Sequence, residues 1–175
     1  LGSYQFIREN FKLKIHGDRG LNIFNCYTAD HLEAEGLDSL SLSEELNLEQ
    51  IKSISSSKKD LEALVYGSLP LMVMKTCPMA LVKGCKDDSQ CKTCNFAQGY
   101  ELQDRMNVNF PIFRGEGFTT IYNSVPLMVL DSIDRIKASG ISSLRLDFTY
   151  ELEGIREIQE VYYDYIKGLI GQKEV

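Results

Sequence analysis

The stretch that most restricts what this chain can fold into is Leu61–Asn95. It opens with an extended apolar run, Ala63-Leu-Val-Tyr-Gly-Ser-Leu-Pro-Leu-Met-Val-Met74, and four of the five cysteines follow at once. These are Cys77, Cys85, Cys91 and Cys94, spaced C-x7-C-x5-C-x2-C. A short apolar run bounded by polar residues reads as a buried strand. The expectation is therefore a central strand that delivers a group of thiols at its end. Four cysteines in one short polar loop form a metal-ligand pattern, because thiolates must converge within a few Å of one ion. Zinc and an iron–sulfur cluster both take four cysteinyl ligands, and spacing alone does not separate them. The fifth cysteine, Cys26, stands apart after a strand and reads as a core residue.

A disulfide framework fits poorly, because the cysteine number is odd and no export signal is visible. Hydrophobic residues make up 43% of the 175 and charged ones 25%, which places the chain among globular proteins and away from disordered ones. The length suits a single domain, 1–175, with a real core. The formal charge of −6 argues against a dedicated nucleic-acid module, which would carry a basic face, though not against RNA as a substrate. No apolar stretch is long enough to span a membrane, so the expected location is the cytoplasm. The chain starts Leu1-Gly2-Ser3, so it is expected to be a piece of a longer protein.

Taken in order, the chain alternates strand and helix signals. Ser3–Asn10 reads as a short helix, Phe11–His16 alternates apolar and polar residues, and Leu21–Asn25 follows a Gly17-Asp18-Arg19-Gly20 turn as a strand. Thr28–Glu35 is a helix stopped by Gly36, and Leu40–Ser43 a strand. Asn47 with Gln50 resembles a capping box that opens a helix to Ile54. Beyond the cysteines, Phe110–Phe113 and Thr119–Asn123 read as strands. Ser124–Ser139 is the clearest helix, with Pro126 near its first turn and Leu127, Leu130, Ile133 and Ile136 in a stripe. Ser143–Phe148 is a strand, and Glu151–Leu169 a helix whose apolar face includes Ile155, Ile158, Tyr162, Tyr165 and Ile166. This order indicates βα units on a mainly parallel sheet with a cysteine-rich insertion. An open doubly wound sheet and part of a (β/α)8 barrel both fit, and 175 residues supply only about half of a full barrel.

Asn25, Ser43 to Glu45, Glu62, Lys75, Asn123, Arg145 and Asp147 fall where strands should end, the rim that carries active sites in barrels. Arg145 and Asp147 alternate with Leu144 and Leu146, so they share a face and should pair. A structural ion pair and a substrate-binding role both suit them. His16 and His31 belong to no metalloprotease motif or recognisable triad and read as surface or capping histidines. Ser68 lacks the G-x-S-x-G elbow of a serine hydrolase.

Leu21-Asn-Ile-Phe-Asn25, Leu42-Ser-Glu-Glu-Leu46, Glu62 with Gly67-Ser68-Leu69, the Pro70–Met74 run, Cys77-Pro78, Tyr122-Asn-Ser124 and Ser143–Asp147 together resemble the collagenase-like peptidase family (family U, number thirty-two) of unknown catalytic type. The resemblance runs through nearly the whole chain. It implies a partial TIM-like (β/α) barrel holding the later strands and helices only. It also implies either a peptidase, with Glu62 and the rim groups Arg145 and Asp147 handling a peptide, or an iron–sulfur-dependent hydroxylase modifying RNA or a quinone precursor. The family's signature places a cysteine where this chain has Pro70. Cys77 matches a later position and Cys91 or Cys94 a third, which leaves Cys85 and the Cys91–Cys94 pair to complete a set. A 4Fe-4S cluster, or zinc in a non-catalytic stapled loop, are the cofactors this implies. The expected partners are a peptide or RNA substrate, the rest of the parent chain, and a second copy covering open sheet edges.

Overall fold

The computed structural model describes residues 2–55, 60–85, 91, 94, 99–115, 117–151 and 153–171. The chain is a mixed α/β protein that divides into two compact units, residues 1–66 with 128–175, and residues 67–127. Among the described residues no sheet closes into a barrel.

The first unit holds α1 (Gly2–Asn10), β1 (His16–Gly17), α2 (Cys26–Glu35), β2 (Ser39–Ser41), α3 (Leu48–Ser55) and most of β3 (Leu61–Gly67). β1, β2 and β3 lie parallel in chain order, with His16 opposite Ser39, Leu40 opposite both Gly17 and Leu61, and Ser41 opposite Glu62. Because side chains alternate along a strand and aligned neighbours share a face, this register sorts the sheet into two surfaces. Gly17, Leu40 and Leu61 occupy one. His16, Ser39, Ser41 and Glu62 occupy the other. The apolar surface joins Ala63 and Val65 in a core with Ala29 and Leu32 of α2 and Ile51 and Ile54 of α3. Glycine is required at position 17, since a Cβ there would lie 2.7 Å from a Leu37 methyl and 2.8 Å from one of Leu40.

Local signals set the helix ends. Asn25 Oδ1 accepts the Thr28 N–H at 2.9 Å and starts α2, and Gly36, at φ 101°, ends it. The Asn47–Gln50 capping box forms in full. The Gln50 N–H reaches Asn47 Oδ1 at 3.0 Å and the Asn47 N–H reaches Gln50 Oε1 at 2.9 Å.

The stretch expected as one helix, Ser124–Ser139, divides into β8 (Leu127–Met128), a 3-10 turn (Leu130–Ser132) and the short helix α5 (Ile133–Ala138). β8 pairs with β3, and the Val129 N–H is taken by Val65 O at 3.1 Å. A free strand edge outcompetes helix propensity here, and Pro126, which lacks an N–H, lies just outside the paired residues. β9 (Ser143–Asp147) also pairs with β3, and α6 (Ile155–Lys167) closes the unit. α6 begins later than its periodicity suggests, after a left-handed Gly154.

The second unit corrects the reading of the apolar run. The run is not one buried strand: β3 ends at Gly67, and Pro70–Met74 forms β4, a strand of a separate antiparallel sheet. That sheet adds β5 (Tyr100–Gln103), β6 (Asn109–Arg114) and β7 (Thr119–Tyr122) in the order β4-β7-β6-β5. Leu71, Met72 and Val73 on the edge strand β4 are all more than half exposed. The Asn123 side chain braces the entry to β4, accepting the Leu69 N–H at 2.8 Å. Asp104 Oδ1 caps the β5–β6 turn by accepting the N–H groups of Met106 and Val108. α4 (Pro78–Lys83) follows Cys77.

Candidate active site

The polar face of the first unit's sheet gathers the three residues that the sequence singled out as catalytic. Glu62 is the second residue of β3 rather than its last, and Arg145 and Asp147 are the middle and final residues of β9. Arg145 Nη1 lies 3.5 Å from Glu62 Oε1, and Nη2 lies 3.7 Å from Asp147 Oδ2. The expected pairing of Arg145 with Asp147 is therefore present. Leu144 and Leu146, the alternate residues, pack against the apolar core.

Further side chains complete the cluster. Asp18 Oδ1, at the turn after β1, takes Arg145 Nη1 at 2.5 Å and also accepts the Arg19 N–H at 2.8 Å. Burial pushes the Asp18 carboxyl up, but the Arg19 N–H and the Arg145 guanidinium outweigh it and hold its pKa below the ordinary value. Burial works against the Arg145 charge too, and Asp18, Asp147 and Glu62 reverse that effect and raise its pKa. Arg19 Nη1 stands 3.1 Å from Asp147 Oδ2 and 4.0 Å from Glu44 Oε1. Nη1 is shut off from solvent yet makes no hydrogen bond among the described residues. Its charge is met there by the Asp147 carboxylate.

The last member is His16, which the sequence had suggested was a surface residue. Its Nδ1 lies 2.8 Å from Ser39 Oγ, and its Nε2 lies 3.0 Å from Ser41 Oγ and 3.4 Å from Glu62 Oε1. Ser41, only 4% exposed, donates its hydroxyl proton to Glu62 Oε1 at 2.5 Å. The signal that could have found His16 is its pairing partner: a strand reading H-G beside one reading S-L-S puts the imidazole and both hydroxyls on one face. Register, which only the paired sheet fixes, carries that information. Of the other rim residues, Asn25 serves as a helix cap, and Lys75 and Asn123 belong to the second unit. Ser68 is fully buried.

The cysteines lie in the second unit. Cys77 precedes α4, and its Sγ is 3.7 Å from the Tyr100 hydroxyl, whose pKa burial and this thiol push up to about 12. Cys85 follows α4, and the Cys94 N–H reaches Cys91 O at 3.3 Å. All four are partly exposed and free of disulfides. Much of the cysteine-rich loop, residues 86–90, 92–93 and 95–98, lies outside the described residues. Among the described residues no group of three or more His, Cys, Asp or Glu side chains is placed to hold a metal ion. No described helix is long and apolar enough to cross a membrane.

Comparison with known proteins gives one match that spans this whole arrangement. The family described as Peptidase family U32 matches residues 1–174. No curated protein and no solved structure matches the chain.

Proposed function

The chain belongs to peptidase family U32, and on that premise we propose that it contributes the site of a peptide-bond hydrolase, with Glu62 as the general base. One observation carries this reading. A carboxylate at 20% side-chain exposure accepts a hydroxyl proton from Ser41 while a guanidinium and an imidazole stand within 3.5 Å of it. Such a carboxylate is oriented, partly buried and within hydrogen-bond reach of a hydroxyl, the geometric requirement for a general base. Arg145 and Asp147 are positioning groups: Asp147 and Asp18 hold the guanidinium, which in turn fixes Glu62. The in-order parallel strands with helices between them support reading the unit as part of a TIM-like barrel, completed by the rest of a parent chain. Free thiols suit a cytoplasmic location.

The test is turnover of a mixed peptide library, read by mass spectrometry. Glu62→Gln keeps size and removes the base, and should lower the cleavage rate by about 100-fold or more. Cleavage by Glu62→Gln at the unaltered rate would overturn the assignment, as would intact peptides after incubation with the unaltered chain.

A second reading rests on a different observation, the four disulfide-free thiols of one unit. In it Cys77, Cys85, Cys91 and Cys94 hold an iron–sulfur cluster that serves modification of RNA or a quinone precursor, or a structural zinc. Protein purified without oxygen should then carry iron with acid-labile sulfide, or zinc, and a Cys91→Ala, Cys94→Ala double variant should lose it. Unchanged metal content in that variant would sink this reading.

A further inference from the structure

We propose that Ser41 is the nucleophile of this site, so that hydrolysis runs through an acyl-serine rather than by direct attack of water. The inference rests on the peptide-hydrolase reading and on Glu62 as its base. It comes from a hydrogen-bond chain that crosses two neighbouring strands. Ser41 donates to Glu62 Oε1 at 2.5 Å, which commits its proton. His16 Nε2, 3.0 Å from Ser41 Oγ, is then the donor between them, and Nδ1 meets the Ser39 hydroxyl at 2.8 Å. Ser41 Oγ keeps a second lone pair outside these two hydrogen bonds.

A nucleophilic hydroxyl within hydrogen-bond reach of a base, with its geometry set by a third group, is the general signature of covalent catalysis. Here the carboxylate is the base and the imidazole the orienting group. The parallel register supplies the geometry, since Ser41 is aligned with Glu62 on β3 and Ser39 with His16 on β1. Strand-mounted groups of this kind are held more tightly than loop residues. Ser41 itself is 4% exposed, whereas the His16 side chain is 37% exposed.

The steps balance with water as the only co-reactant. Ser41 Oγ forms a bond to the carbonyl carbon, the carbonyl π pair moves onto its oxygen, and the Ser41 proton passes to Glu62. The oxyanion pair then re-forms the C=O bond as the C–N bond breaks, its pair going to nitrogen, which takes the proton from Glu62 and leaves as the amine. Water next attacks the ester carbon, the carbonyl π pair again moves onto oxygen, and the water gives a proton to Glu62. That pair re-forms the C=O bond of the acid as the C–Oγ bond breaks, and the proton passes from Glu62 to Ser41 Oγ.

A fluorophosphonate probe on the intact chain, followed by digestion and mass mapping, tests this. The expected result is an adduct on Ser41, at least 10-fold weaker in Glu62→Gln and absent in Ser41→Ala. Mapping on the unaltered chain decides the matter even if Ser41→Ala does not fold. Peptide cleavage that depends on Glu62 but comes with no Ser41 adduct would overturn the nucleophile and leave the hydrolase reading standing. A Ser41 adduct without peptide cleavage would support the nucleophile and overturn the peptide substrate. Absence of both would overturn both.

Discussion

Replacing Tyr162 with alanine is expected to cost about 4 kcal/mol of stability, from the loss of a large buried ring and the cavity it leaves. Tyr162 is 2% exposed, and its ring stands edge-on to Tyr66 at 6.2 Å between centroids. Its hydroxyl donates to Val65 O at 2.7 Å. Tyr162→Phe keeps the ring and deletes only that bond, so its cost should be about 1 kcal/mol. The two variants separate packing from polarity at one position. Burial is the main cause that pushes the Tyr162 hydroxyl up to about 12; a hydrogen bond with the Val129 backbone opposes it, while Tyr66 and Asp131 add to it. The sign of the pH effect follows. Above the ordinary value of 10.0 the unfolded chain releases this proton while the folded chain keeps it. Stability is thus fully present below pH 10 and declines as pH rises toward 12, by roughly 2–3 kcal/mol for this group. Denaturant titrations followed by circular dichroism should show the gap between the unaltered chain and Tyr162→Phe closing across that window and then reversing, with the variant the more stable at its upper end. A gap that stays constant with pH would show that the hydroxyl is not held neutral by burial.

Arg145→Ala is expected to destabilise the first unit by about 2 kcal/mol, between the cost of breaking an exposed ion pair and that of breaking a buried one, because these side chains are only partly buried. The alanine leaves Asp18, Glu62 and Asp147 without their shared guanidinium. Asp147 retains Arg19, and Asp18 is largely in solvent, so Glu62 bears most of the cost. The pH dependence again has a definite direction. Because the Asp18 pKa is depressed in the folded chain, its contribution is present above the ordinary value of 3.8 and is lost as pH falls through the folded pKa. The difference between Arg145→Ala and the unaltered chain should therefore shrink in acid. Equal stability of the two proteins at neutral pH would mean that the guanidinium merely decorates the surface.

The cluster shows where sequence reading reaches and where it stops. Arg145 and Asp147 were legible because alternation with Leu144 and Leu146 fixes their common face without knowledge of any neighbour. Glu62 was singled out but placed at the wrong end of its strand, because an apolar run does not mark which of its residues meets the next strand's polar positions. His16 and Ser41 were missed for the same reason. Each is ordinary in its own segment, and only the pairing of Ser41 with Glu62 and of Ser39 with His16 makes them a group. The cysteine pattern is the converse case. Its spacing is a strong local signal, yet the described residues assemble no ligand set from it.

The sequence by itself determined the alternation of strands and helices in the first unit, the capping box at Asn47, and membership of peptidase family U32. These depend on spacing within a few residues, or on the order of many short blocks. The tertiary structure alone decided that the apolar run divides at Gly67 between two sheets, that Leu127–Met128 becomes a strand, and that His16, Ser39, Ser41 and Glu62 share one face. Those outcomes rest on which strand edge is open and on register between segments far apart in the chain. Hydrogen-bonding demand at a strand edge overrides local propensity there, and no window of the sequence contains it.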